Sequence, residues 1–551
     1  MIRFFAIIIA LGVYCSAYAQ QHVIVKSKDS THHQPVFKFD VDQNTTDLEY
    51  QIKDQLYQKG YFNLQIKEKE QKNDTIIYKV IYGNDFPYLL IQTDATAGQS
   101  DKKDSLLMST DQYQDYAHKL LEKYAKEGKV FTQVSLKNIN QLNDSTMAAQ
   151  LVINESKTRE LSEIIIKGYK DFPRSFIKYY LGIKKFTPFN KDKIIKKSKN
   201  LNDIAFAQQI KEPQVQFTKD STLLYMFIEK TRSNRFEGFL GFTNNDQQEL
   251  QLNGDLDLRL NNNFNYGEQF KLKYKNNGQD QERFTIGIKL PYLFQSPVSL
   301  SADLAFFRQD STFSTSEQFI GANYQINSAV ELKAGGRFNK STSLQDQPTI
   351  VSDTTVLDYE ASSYRVGTEI RLPSNIKANL PLVNFIDLEV GIGNRSLINE
   401  STSNSNQQQL IAKLNNRWYL PINKRQFVYL GNFNQWLISD EYVTNELYRF
   451  GGMKNVRGFP ENSLFADFYT TLQTEYRYIL SKNLFAHSVF DLAYYENQLQ
   501  NINKNLYSFG FGIGLKTRGG ILRLILANGN ETNQSIKLNQ TQFHLNFSSF
   551  F

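Results

Sequence analysis

Downstream of Arg232, apolar side chains recur at every second position and charges of both signs fill the positions between. Leu250, Leu252, Leu256, Leu258 and Leu260 share one face with Gly254, while Gln251, Asn253, Asp255, Asp257 and Arg259 take the other. Ile386, Leu388, Val390 and Ile392 stand in the same way against Asp387 and Glu389. Successive side chains of a strand point to opposite faces, so the pattern is that of half-apolar strands, one segment after another. A soluble sandwich alternates too. What favours a transmembrane β-barrel, with lipid outside, water inside and no free edge, is the company the pattern keeps. The chain carries 41 Phe and 31 Tyr, and its end alternates to the last residue through Phe543, Leu545, Phe547, Ser549 and Phe551. Mean hydropathy is −0.47, and no apolar run reaches the roughly 18 residues of a membrane helix.

The segments number sixteen, from about Phe236 to a last strand over 542–551, each near the length of about 9–11 residues that crosses a bilayer obliquely. The long connections, 339–362, 394–407, 439–467, 495–506 and 528–541, follow odd-numbered strands. Outer loops are the long ones in such barrels, so both ends of the barrel segment are expected on the periplasmic side.

The first half reads differently. Residues 1–19 form a secretory signal, with Arg3, an apolar core from Phe4 to Val13 and the cleavage site Ala17-Tyr18-Ala19. The single cysteine, Cys15, is lost with it, which excludes disulfides and thiol chemistry. From Gln20 to Arg232 a helix followed by two strands recurs with a period of about 70 residues. Helices are expected over 46–59 and 111–127, stopped by Gly60 and Gly128, and in the third unit over 174–181 and 191–207. Module boundaries are set at 20–92, 93–157 and 158–232, with the barrel over 233–551. Net charge is +7, partly from a lysine-rich stretch that includes Lys184, Lys185, Lys193, Lys196 and Lys197, either a solvated face or one turned to anionic headgroups. None of the six histidines has metal-site spacing, and no nucleophile elbow or phosphate loop is present. An enzyme is therefore the least favoured reading, and no cofactor, metal or nucleic acid is expected.

The phrase Leu56-Tyr57-Gln58-Lys59-Gly60-Tyr61-Phe62 and its repetition resemble the POTRA module, a periplasmic α+β unit. The longest loop, 439–467, contains Arg449-Phe450-Gly451-Gly452-Met453-Lys454-Asn455-Val456-Arg457-Gly458-Phe459. Gly451, Gly452, Val456, Arg457, Gly458 and Phe459 resemble the sixth-loop signature of the BamA/TamA outer-membrane assembly superfamily, and the terminal Phe551 resembles the recognition signal of bacterial outer-membrane barrels. The resemblance implies a loop folded into the lumen with its Arg on an acidic wall residue. Asp491 fits that part, in a segment that has Ala493 where the family has Gly, and Glu475 is a second acid on the inward face. Arg457 is expected to pair mainly with Asp491, helped by Glu475. Three modules before one barrel resemble TamA most in layout.

The fold class implied is α+β periplasmic POTRA-like modules followed by a 16-stranded antiparallel transmembrane β-barrel in the bacterial outer membrane. The function implied is insertion or export of client proteins through a weak seam between the first and last strands. Gly238 and Gly241 either weaken that seam or accommodate barrel curvature. Partners would be unfolded outer-membrane or secreted clients and outer-membrane lipid, with accessory lipoproteins or an inner-membrane protein as further candidates. A dedicated two-partner-type secretion transporter and a passive porin are the alternatives.

Overall fold

The computed structural model describes residues 21–27, 37–41, 56, 61, 64–72, 75–81, 86–93, 105–244, 250–276, 281–344, 350–351, 354–373, 383–398, 406–517, 519–532, 534, 536 and 541–551. The signal 1–19, Gly60 and, apart from Leu56, the expected helix 46–59 lie outside these. The chain divides into two compact units, 1–160 with 187–191, and 161–186 with 192–551.

The first unit holds two small mixed sheets of POTRA-like make-up. One comprises β1 (Gln21–Ser27), β2 (Phe37–Val41), β3 (Gln65–Lys72) and β4 (Thr75–Ile81), in the order β2-β1-β4-β3. Val25, Leu56, Ile76, Tyr78 and Val80 form its core. The other comprises β5 (Tyr88–Thr93), β6 (Ser105–Ser109), β7 (Gln133–Gln141) and β8 (Thr146–Asn154), in the order β6-β5-β8-β7. Its helix spans Thr110–Lys126, one residue earlier at each end than expected. The Ser109 side chain accepts from the Gln112 amide and the Gln112 side chain answers it, a capping box that sets the start. Tyr113, Tyr116 and Leu120 lay the helix on Leu89, Ile91 and Met147.

In the second unit, a third module with β9 (Glu163–Gly168), β10 (Ala207–Phe217) and β11 (Thr222–Lys230) has only three strands, in the order β10-β11-β9. Its expected helices are shorter: a single π turn over Phe176–Tyr180, and a helix Lys191–Ser198 that tightens into a 3₁₀ turn over Lys199–Asp203. Leu201, Ile204 and Phe206 are buried, and the chain has turned extended by Ile204 to enter β10 at Ala207, which ends the helical stretch.

Sixteen antiparallel strands close into one barrel, from Arg235–Asn244 to Gln542–Phe550. The thirteenth strand, Leu484–Asn497, and the fourteenth, Ile502–Lys516, run further than expected, so the connection placed at 495–506 shrinks to 498–501. Tyr495 and Asn497 are buried and prolong the inward alternation, which keeps the ladder going to Asn497 opposite Ile502. Outward positions such as Val366, Ile392, Phe511, Ile513 and Phe543 are exposed in a band too apolar for water. Inward charges pair across strands: Lys333 lies 2.6 Å from Glu369 and 3.1 Å from Asp387, and Arg365 lies 2.8 Å from Glu389.

The third module packs on turns that follow even-numbered strands. The Asn262 amide donates to the Tyr169 hydroxyl at 2.7 Å, which donates to the Asn265 side-chain oxygen at 2.7 Å. Phe176 meets Tyr292 edge to face, with centroids 4.8 Å apart, and Asn200 reaches Ser328 at 2.6 Å. Gly267 sits at φ +80° with the Phe176 ring pressed into the space a Cβ would take, so only glycine fits this turn.

Candidate functional site: the in-folded loop and the barrel seam

The connection between the eleventh strand, Gln426–Ile438, and the twelfth, Phe468–Ile479, folds into the barrel. Its apolar side chains make that possible. Phe450 and Val456 are fully buried with Tyr469, Ala493, Tyr495 and Leu506, and the Phe450 ring stacks on Tyr469 at 4.5 Å. Gly451 and Gly452, both at positive φ, reverse the chain so that the Met453 amide donates to the Glu461 carboxylate at 3.2 Å. Gly458, at φ +85°, presses on the fifteenth strand, Ile521–Glu531, where an added Cβ would run into the Gly529 nitrogen. Gly529 in turn leaves room for the Phe459 ring.

Between these contacts lies Arg457, 1% exposed. Its Nε donates to Asp491 Oδ2 at 2.8 Å, its Nη2 to the other carboxylate oxygen, and its backbone amide again to Oδ2 at 3.0 Å. Nη1 donates to Glu475. Asp491, on the thirteenth strand, and Glu475, on the twelfth, are both buried. Glu475 also accepts from Arg477 Nε at 2.5 Å and from Arg523 Nη2 at 3.2 Å. Three guanidiniums thus share two carboxylates. The surplus charge is met by rings: Arg477 lies over Tyr429, 5.1 Å to the centroid, and near Tyr419, Phe427 and Phe485. A fork-on-fork contact of this kind is directional as well as strong, so it sets the loop's position and not merely its charge balance.

Two further clamps hold the loop nearer its start. Glu446 lies 3.4 Å from the buried Arg395 and accepts from Gln409 at 2.8 Å. Arg449 inserts among Phe307, Phe313 and Phe465, at 4.1, 4.9 and 5.1 Å from their centroids. The tip reaches the wall beyond the first strand, where Lys454 stands 3.9 Å from Asp255 and Glu461 pairs with Lys275. On the other side of the closure the Gly458 amide lies 3.5 Å from His544 Nε2. Asp255 and Lys275 belong to the second and third strands and His544 to the sixteenth, so one loop touches both flanks of the barrel closure.

That closure is short. The first strand pairs with the second over ten residues, Arg235–Asn244, but with the sixteenth only through Arg235, Phe236 and Glu237 opposite Phe550, Ser549 and Ser548. The Phe551 amide adds one bond to the Asn234 carbonyl at 2.9 Å. At about 1 kcal/mol net per backbone bond, the ladder at this joint is worth only a few kcal/mol. Gly238 and Gly241 lie just past the paired stretch, opposite Leu256 and Asn253 of the second strand. Phe547 pairs away from the seam, opposite Leu522 on the fifteenth strand, and Phe551 is half exposed.

Neither a family model nor a curated protein matches the sequence. Solved structures do. CdiB from Escherichia coli matches with a TM-score of 0.55 at 12% identity, over 91% of this chain and 96% of that one. CdiB from Acinetobacter baumannii matches with a TM-score of 0.51 at 15% identity, over the same shares. The chain has the CdiB fold. BamA from Haemophilus ducreyi, in a form lacking POTRA domains 1–3, matches with a TM-score of 0.44 at 13% identity, over 83% of this chain and 95% of that one. With the CdiB-like architecture in place, the groups that alternation alone did not single out are Arg395, Arg523 and the buried His487, whose Nδ1 lies 3.6 Å from the Glu475 carboxylate. Arg523 lies in the run Ile521-Leu522-Arg523-Leu524-Ile525, apolar on both faces, where one charge is the whole inward signal.

Proposed function

We propose that this chain is an outer-membrane assembly or translocation factor, with its modules in the periplasm, that handles unfolded client proteins without covalent chemistry. The observation that carries this reading is the short seam: three paired residues in a barrel whose neighbouring joint pairs ten. An incoming strand can replace so few bonds with its own, and the modules offer sheet edges for clients on the way. The plugged lumen argues against a passive porin, because the loop spans from Asp491 to Asp255 and Lys275. A layout close to TamA is part of the proposal, as are accessory lipoproteins or an inner-membrane partner.

The test is a quantitative outer-membrane proteome before and after depletion. Loss of many barrels supports general insertion, and loss of one or a few clients supports a specialised or dedicated secretion role. No change in any outer-membrane or secreted protein overturns the reading.

A further inference from the structure

On the outer wall of the barrel, two neighbouring strands carry asparagine within the apolar band. The tenth strand spans Asn406–Pro421. Its Lys413 pairs with Asp387 in the lumen, and there Arg477 of the twelfth strand lies over Tyr429 of the eleventh. Alternation from these inward residues turns Asn416, Asn432, Asn434 and Thr470 to the outside. Asn432 is the central residue of the eleventh strand, with Val428 and Leu430 outward on its periplasmic side and Trp436 and Ile438 outward on its other side. Trp436 stacks on Phe468 with centroids 5.2 Å apart. The polar patch therefore interrupts the lipid-facing band in its middle, where hydrocarbon side chains are the rule.

Most of this patch satisfies itself. Asn434 Nδ2 donates to the Leu414 carbonyl and to Asn432 Oδ1, both at 2.7 Å, and Asn434 Oδ1 accepts from the Thr470 hydroxyl at 2.5 Å. Asn432 Nδ2 donates to the Thr471 carbonyl at 2.9 Å. Asn416 differs. Its Nδ2 donates to Asn432 Oδ1 at 3.1 Å, but its second amide hydrogen and its carbonyl oxygen have no partner among the described residues, and the side chain is half-buried at the surface. An amide cannot lose its polarity by titration, and acyl chains supply neither donor nor acceptor, so a lone amide here is costly.

We propose that the outward face of the tenth and eleventh strands is a contact between two copies of this chain, with the two Asn416 side chains at its centre. A second copy inserted in the same orientation carries Asn416 at the same depth by necessity. About a twofold axis along the membrane normal, the free N–H of each amide meets the free carbonyl oxygen of the other, so one symmetric contact satisfies both donors and both acceptors. Leu414 and Leu430 flank the amides and pack around them. The face lies several strands from the joint of the first and sixteenth, so pairing leaves the seam open to clients. The dimer does not depend on the assembly reading.

The experiment uses the full-length protein, in cells and in phospholipid vesicles. Cys15 is the sole native cysteine, so a Cys15→Ser background has no other thiol. In that background Leu430→Cys lies on the proposed contact and Val366→Cys on the exposed outer face of the eighth strand, Tyr359–Pro373. Oxidation of cells with copper phenanthroline is expected to give a covalent species of twice the chain mass from Leu430→Cys and none from Val366→Cys. In vesicles, copies labelled at Lys424→Cys, in the exposed turn between the tenth and eleventh strands, are expected to show energy transfer that falls on dilution with lipid. Asn416→Leu should move the half-point to about tenfold less lipid while the barrel keeps its heat-modifiable migration on gels. Transfer no greater than random proximity gives overturns the proposal and leaves the patch facing lipid. An unshifted half-point in a folded Asn416→Leu overturns it too, as does equal cross-linking at both cysteines. A cross-linked species of another mass assigns the face to a different protein and also overturns it. If Asn416→Leu loses its fold, the cysteine comparison, which leaves every amide in place, decides by itself.

Discussion

Arg457 holds Asp491 through three of its nitrogens, the two on one edge of its guanidinium and its own backbone amide. The contact joins the loop backbone, not only a side chain, to the thirteenth strand. Removing the carboxylate strands a buried cation, a loss of about 3–5 kcal/mol in comparable sites. Asp491→Ala should therefore lower barrel stability by about that amount in urea unfolding and lower assembly activity with it. Arg457→Lys should rescue little, because a point charge cannot reproduce the fork. Full stability and activity in Asp491→Ala would mean that the pair does not set the loop.

Glu475 serves three guanidiniums, those of Arg457, Arg477 and Arg523. Glu475→Gln keeps the shape and removes the charge, so it should destabilise the barrel at least as much as the loss of Asp491. Combining it with Arg523→Ala should recover part of the loss, since one of the repelling cations is gone. A double-mutant cycle that returns simple additivity would show that the cations do not share this carboxylate.

Much of this architecture is legible in the amino-acid order alone. Alternation gives the barrel strands because a period of two has no other common reading over sixteen segments. Asp491 declares its inward direction by standing between Phe490 and Leu492, both exposed to the outside. What the pattern cannot convey is which inward charge meets the loop. Arg395 and Arg523 face the lumen like many other residues, and only the path of the loop selects them. The shortness of the third module's helix is also hidden: the lysines of 191–199 have helical spacing, but the chain tightens at 199–203 and is extended by Ile204 to join the sheet at Ala207.

If the loop plugs the lumen, freeing its clamps should open a pore. Arg457→Ala combined with Glu446→Ala removes an anchor at each end of the loop. Planar-bilayer recordings should show small or no steady conductance for the parent protein and a larger one for the double variant. A large steady conductance in the parent would restore the porin reading.

Docking of the third module depends on Gly267. Gly267→Val would place branched carbons inside the Phe176 ring and force a β-branched residue to φ +80°. Limited proteolysis should then cut the 161–232 region faster while the barrel stays resistant. Equal cutting rates in parent and variant would show that the turn is not what holds the module.

The central claim is that the seam must open, and the most direct test is to lock it. Glu237 and Ser548 are register partners across the joint, and Cys15 is the sole native cysteine. The double variant Glu237→Cys with Ser548→Cys should fold, form a disulfide on oxidation, and lose client assembly or export in reconstituted vesicles. Reduction should restore it, while each single variant stays active under both conditions. A locked seam with undiminished activity would contradict the account.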